Sequence, residues 1–263
     1  MGKFTDALRK AADERLHRIE KMEHHTQVRY EFVARKTVES DVDPRIVAFY
    51  DPISPVTEQY RVLRTNLLPF SPATKPLKAI AITSSTHSEG KSISAVNLAV
   101  TMAKDVDKKS VLLIDADMRR SRVGNYLGIP AHAGLAEVLA GTANVDECLL
   151  HVGVENLTVL PAGKAPLNPA ELLASMKMKE LVSKLKARFD FIIFDAPPIV
   201  PVTDVAIFGV HMDGVLMVVQ ANRTQKGVIR HACTLLKQAN INLLGHILTD
   251  IRYHIPAYIY RYL

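Results

Sequence analysis

The chain has little cysteine: Cys148 and Cys233 are the only two among 263 residues, and neither has a CxxC or histidine-spaced partner. That argues against a disulfide framework or a Cys/His zinc site and leaves both as core thiols. No run approaches the roughly 18 uninterrupted apolar residues of a membrane-spanning helix. The opening MGKFTDALRK lacks the apolar stretch of a secretory signal, and Asp6 stands where a myristoylation signal requires Ser or Thr. The expectation is a soluble, cytosolic protein. There is no internal repeat, no low-complexity tract and no long Lys/Arg block. The net charge of +6 is spread along the chain, and no Arg/aromatic cluster forms a recognised module, so nucleic acid is not expected as a partner. His24 and His25 are adjacent, and adjacent helical positions diverge by about 100°, so they do not read as a metal pair.

Apolar material, by contrast, makes up 48% of the residues, enough for one large α/β domain with a modest extension. Residues 1–50 read as an N-terminal helical arm and linker. Phe4, Leu8 and Ala11 share a helical face, and Pro44, Pro52 and Pro55 interrupt any regular element after the arm. Residues 51–250 read as the principal domain and 251–263 as a tail. Within the domain, apolar runs at 79–83, 110–114, 157–160, 191–194, 214–219 and 243–248 predict buried strands. Helical spacing covers 92–103, 170–188 and 225–239, and Asn168-Pro169 supplies a helix start. This alternation predicts a doubly wound, mostly parallel sheet with helices on both faces.

The first strand runs into Ser84-Ser85-Thr86-His87-Ser88-Glu89-Gly90-Lys91-Ser92 and then a helix. Strand, loop and helix in that order aim backbone N–H groups at one point, a place for polyphosphate. Lys91 would reach the β- and γ-phosphates and Ser92 would offer its hydroxyl to Mg²⁺. The strict P-loop pattern is not met, because Ser85 stands where its first glycine belongs. Asp115 and Asp117 close the second strand, with Arg119 beyond them, and Asp195 ends another. Ligands of doubly wound folds bind off the carboxyl ends of strands, so all three carboxylates are expected in one crevice with the loop. Arg119 reads equally as a stabiliser of transferred charge and as half of a structural ion pair.

With these motifs the sequence resembles the bacterial tyrosine kinases of capsule and exopolysaccharide synthesis, the CpsD/CapB type and the cytosolic half of Wzc-type proteins. The resemblance covers about residues 55–263. It rests on Glu58-Gln-Tyr-Arg61-Val-Leu-Arg64, on the loop Ser85 to Ser92, on Asp115-Ala-Asp117-Met-Arg119, on Asp195-Ala-Pro-Pro, on residues 168–172, and on Tyr253, Tyr258, Tyr260 and Tyr262. It implies a P-loop fold of the deviant Walker kind, with ATP and Mg²⁺ as cofactors. Ser85, Thr86, His87, Ser88, Glu89, Gly90, Lys91, Ser92 and Ile93 would bind the nucleotide, with Ser92 and Asp115 or Asp195 at the metal. It further implies tyrosine autophosphorylation of the tail cluster, with Glu58, Arg61 and Arg64 in contacts of a ring-like homo-oligomer. The partners implied are a membrane polysaccharide co-polymerase, which recruits the protein to the inner membrane face, and a tyrosine phosphatase. Two departures matter: His87 and Ser88 replace the family's proline and first glycine, and Leu248-Thr249-Asp250 ends the last strand where an asparagine is usual. Related division-site and partition ATPases carry a second lysine five positions before the loop lysine. Thr86 stands there, which favours the kinase over a nucleotide-dependent switch.

Such a reaction assigns roles to two of these residues. Lys91 is expected to face solvent in the empty site, and Asp117 to orient the acceptor tyrosine. A free aspartate and a free tyrosine differ by about 6 pKa units, about 8 kcal/mol for proton transfer ahead of reaction. Asp117 would therefore accept a hydrogen bond and take the proton late.

Overall fold

A computed structural model describes residues 41–67 and 77–251. The helical expectation for residues 1–40, with His24 and His25, and the tail tyrosines Tyr253, Tyr258, Tyr260 and Tyr262 lie outside the described residues. Seven strands form one sheet: β1 (Ala79–Ser84), β2 (Val111–Asp115), β3 (Leu150–His151), β4 (Leu157–Leu160), β5 (Phe191–Asp195), β6 (Gly214–Gln220) and β7 (Leu243–Thr249). Their spatial order is β3-β4-β2-β5-β1-β6-β7, parallel throughout except for β3 against β4. The six predicted strands are all found within a residue of their expected ends. The addition is β3, whose two residues are too few to show any periodicity.

The α-helices among the described residues are α1 (Val47–Tyr50), α2 (Pro55–Leu67), α3 (Lys91–Ala103), α4 (Val123–Leu127), α5 (Leu135–Ala140), α6 (Val145–Cys148), α7 (Pro169–Ala174), α8 (Met176–Arg188), α9 (Asp204–Phe208) and α10 (Lys226–Gln238). The single helix expected over 170–188 is in fact two. Ser175 is extended at φ −69°, ψ 154°, and its hydroxyl donates to Leu172 O at 2.6 Å. A serine that satisfies a backbone carbonyl locally offers the chain an alternative to helix. Asn168 precedes Pro169 at the start of α7 as expected, but its amide donates to Glu171 Oε2 rather than capping the helix.

Alternate strand residues fill two cores. Leu112, Ile114 and Phe194 pack on one face with Leu173, Met178, Leu185 and Phe208. Ile80, Ile82, Leu113 and Ile193 pack on the other with Val96, Leu98 and Val100 of α3. Helix α3 is buried at nearly every position because the sheet lies on one side of it and the 41–67 segment on the other. Ile46 and Ala48, in a stretch whose sequence reads as linker, are at most 1% exposed. Asn97 of α3 fastens them: it accepts from Ala48 N–H at 3.0 Å and donates to Arg45 O at 3.1 Å and Ile93 O at 2.9 Å.

The strand order decides where the chemistry sits. The chain leaves β1 through α3 and returns at β2, two places away, with β5 between them. The carboxyl ends of β1, β5 and β2 therefore lie side by side at about 4.8 Å spacing. Asn97→Ala would strand the buried Ala48 N–H, at a cost of about 1–3 kcal/mol. The urea midpoint is expected to fall accordingly with an unchanged slope, and an unmoved midpoint would show that Asn97 does not hold the segment.

Candidate functional site

The loop between β1 and α3 is shaped by its backbone. Gly90, the residue just before α3, has φ 93°, and Ser88 has φ 62°. The left-handed region is open to glycine and strained for serine, so the departure from glycine at 88 carries a conformational cost. Ser85, at the position of the missing first glycine, is fully buried with its hydroxyl on Met217 Sδ. Glu89 is 1% exposed. One of its carboxylate oxygens accepts from Thr86 N–H at 2.7 Å and the other from the Thr224 hydroxyl. Both oxygens of its carboxylate are thus engaged within the protein. Thr249, at the end of β7, donates to Glu89 O at 2.7 Å.

Lys91 does not face solvent, contrary to expectation. Its ammonium lies 2.8 Å from Asp117 Oδ2 and 3.4 Å from Asp195 Oδ1, and its side chain is only 10% exposed. The reason is electrostatic. Asp115 and Asp195 are opposite one another in the β2–β5 register and fully buried, so the nearest cation is drawn in. Burial alone would lower the lysine's pKa, but attraction from Asp195 and Asp117 outweighs it and raises the pKa. Burial, with the charge of Asp195, pushes Asp115 up to about 7, and burial also raises Asp195.

The three carboxylates differ in what they have left to offer. Asp115 Oδ2 accepts from the Ser121 hydroxyl and from the N–H groups of Arg122 and Val123, and its Oδ1 accepts from Asp117 N–H. Asp117 also accepts from Arg120 N–H. Asp195 Oδ2 is buried with no hydrogen-bond partner among the described residues. A buried, orphaned carboxylate oxygen beside Ser92 suits a hard divalent cation, which takes oxygen ligands. The residues present therefore fit Mg²⁺, which Ser92 and Asp195 would hold, while the oxygens of Asp115 are already engaged by protein donors. Above this cluster opens a cavity of about 550 Å³, lined by the loop from His87 to Ile93, by Asp117, Arg120 and Tyr126, and by Thr249 and Asp250.

Comparison with known proteins points the same way. A family model described as "AAA domain" matches residues 77–243. The tyrosine-protein kinase YwqD of Bacillus subtilis (strain 168) is 38% identical over 214 residues, 81% of this chain and 89% of that protein. The chain belongs to the bacterial tyrosine-kinase family. Among solved structures, the chimerical protein CapA2B2 matches with a TM-score of 0.75 at 29% identity, over 80% of this chain and 92% of its own. The kinase domain of the Escherichia coli tyrosine kinase ETK matches with a TM-score of 0.75 at 26% identity, over 84% and 87%. The fold is accordingly that of a P-loop nucleotide-binding kinase domain.

The family arginines all have partners within this chain. Arg119 makes a two-pronged ion pair with the fully buried Asp204 of α9, at 2.8 and 3.0 Å. Of its two readings, the structural pair is the one observed. On α2, Arg61 pairs with Glu58 at 3.0 Å and Arg64 with Asp105 at 2.9 Å. Sequence reasoning does not single out Asp204, Thr224 or Asp105, each an ordinary polar residue far from its partner, nor Ser121, an ordinary serine six positions after Asp115. Because Lys91 compensates buried carboxylates, Lys91→Met in this kinase should destabilise the fold by about 3 kcal/mol, the scale of breaking a buried ion pair. Urea unfolding without nucleotide measures this, and a stability equal to the parent's would mean that the pair contributes nothing net.

Proposed function

We propose that the protein is an ATP-dependent protein-tyrosine autokinase. The observation that carries the reading is the convergence of Lys91, Asp115, Asp117 and Asp195 beneath a phosphate-sized loop at the ends of three adjacent strands. The likeness to named tyrosine kinases supports it. The loop amides and α3 N-terminus bind the phosphates. Phosphate oxygens compete for Lys91, which moves from Asp117 to the new charge and leaves Asp117 free to accept a hydrogen bond from the acceptor tyrosine. Mg²⁺, when bound, neutralises charge on the phosphates. Ser92 and Asp195 would hold it, with Asp115, whose oxygens already accept from protein donors, adding negative charge beneath.

The acceptors in this reading are Tyr253, Tyr258, Tyr260 and Tyr262 of a neighbouring subunit. Assembly uses Glu58, Arg61 and Arg64 of α2. The Arg61–Glu58 pair is exposed and such pairs are worth about 0–1 kcal/mol, so it exchanges readily for partners across a subunit boundary, whereas the more buried Arg64–Asp105 pair holds α2 in place. Four phosphates would add roughly −6 to −8 to the tail, opposed by Arg252 and Arg261, and mutual repulsion of crowded tails would dissolve the ring. A membrane polysaccharide co-polymerase activates the kinase at the inner membrane face, a tyrosine phosphatase resets it, and the output is control of capsule or exopolysaccharide synthesis.

Incubation with ATP and Mg²⁺ followed by mass spectrometry should find phosphotyrosine in the tail, and none in Lys91→Met. Unchanged labelling of that variant would reject the loop assignment. Asp117→Asn should reduce turnover at least tenfold while changing nucleotide affinity less, since its role is on the tyrosine. An equal loss of both would place Asp117 at the metal instead. Mixing a Lys91→Met subunit with a tail-tyrosine-free active one tests transfer between subunits: the inactive subunit should gain phosphate, and its staying unmodified would exclude that route. Arg61→Ala with Arg64→Ala should give monomers by light scattering, against a parent-sized assembly if α2 is not the contact.

A further inference from the structure

Ser88 sits at the exposed tip of the phosphate loop in a left-handed conformation, φ 62°. Strain of this kind persists only where the surroundings over-determine it. Those surroundings lie outside the loop, in the turn after β6. Arg223 Nη1 donates to Ser88 O at 3.0 Å and is itself held by Gln220 Oε1 at 2.7 Å. The Thr224 hydroxyl donates to Glu89, whose other oxygen receives Thr86 N–H at 2.7 Å. Two consecutive residues of one turn thus grip two consecutive residues of the loop, from a sequence distance of 135 residues in each case.

We infer that Arg223 and Thr224 are positioning residues for the nucleotide, acting through the phosphate loop, and that the strain at Ser88 is what makes them necessary. The Thr224 bond is the stronger of the two, because its acceptor is a nearly fully buried carboxylate. Without that bond Glu89 has one oxygen unsatisfied next to the place where phosphate must sit. The carboxylate then turns toward the site, its charge opposes the phosphates, and Thr86 N–H loses its anchor. Without Arg223 the carbonyl of Ser88 is free to rotate and the left-handed residue relaxes toward negative φ, closing the array of N–H groups. Glycine at 88 enters the left-handed region at no steric cost, so the same loop with glycine would need the grip less.

The inference rests on the nucleotide-binding reading, and calorimetric titration with MgADP separates the two. The parent should bind, and Thr224→Val should bind roughly tenfold more weakly, the scale of one charge-assisted hydrogen bond. Thr224→Ser, which keeps the hydroxyl, should stay within about twofold to threefold of the parent. In the kinase assay KM for ATP should rise with kcat at saturation nearly unchanged, whereas general damage to the fold would lower kcat as well. Introducing Ser88→Gly should shrink the penalties of Thr224→Val and Arg223→Ala to about threefold or less, a coupling readable as a double-mutant cycle. Equal affinity of Thr224→Val and parent, or equal penalties in the serine and glycine backgrounds, would overturn the inference. A parent that binds no MgADP would overturn the nucleotide reading itself. If Thr224→Val loses its thermal transition without ligand, the Arg223→Ala and Ser88→Gly pair alone decides the matter, because Arg223 is exposed.

Discussion

The site is organised around one ammonium group between two carboxylates. Adjacent parallel strands deliver Asp115 and Asp195 to the same level, fully buried, and Asp117 comes two residues later. Three negative charges so placed cannot all remain ionised without a cation, since desolvation and mutual repulsion both favour the neutral forms. Lys91 answers that demand because α3 starts directly above the same strand ends. The topology thus creates the charge problem and also its solution.

This arrangement makes the site a competition. The lysine needed by a polyphosphate is engaged elsewhere, and the aspartate proposed to meet a tyrosine is engaged with the lysine. In the proposed reaction an incoming triphosphate would release both, by offering denser negative charge to the one group that binds the other. The oxygen of Asp195 without a partner among the described residues is the counterpart on the proposed metal side: an unsatisfied buried acceptor is a place where desolvation is held in reserve for a ligand. The walls of the cavity come from segments far apart in sequence. Arg45 stacks over the Tyr126 ring at 5.1 Å, so the N-terminal segment held by Asn97 also shapes the approach to the loop.

Much of this is legible in the residues alone. Strands buried on both faces announce themselves as continuous aliphatic runs, and acids at their carboxyl ends point to a common crevice once the sheet is taken as parallel. What sequence does not disclose is which long side chain reaches which partner. The direction of Lys91 is set by β5 lying between β1 and β2, a fact of strand order. Thr249 meets Glu89 across 160 residues, and Arg119 meets Asp204 across 85. The segment at 41–50 reads as linker because of its prolines, although Ile46, Val47 and Ala48 form a short apolar run that proves to be a buried plug over α3. The break at Ser175 is hidden because helical spacing continues through it, and only the serine's bond to Leu172 O stops the helix.

The central claim is that Lys91 is shared between the resting carboxylates and the phosphates of the nucleotide. A crystal structure of the protein with Mg²⁺ and a non-hydrolysable ATP analogue tests it most directly. The account expects Lys91 Nζ to leave its 2.8 Å contact with Asp117 for phosphate oxygens, with Asp195 Oδ2 gaining a partner at the metal. Lys91 still seated between Asp117 and Asp195, with the nucleotide bound away from the loop, would contradict it.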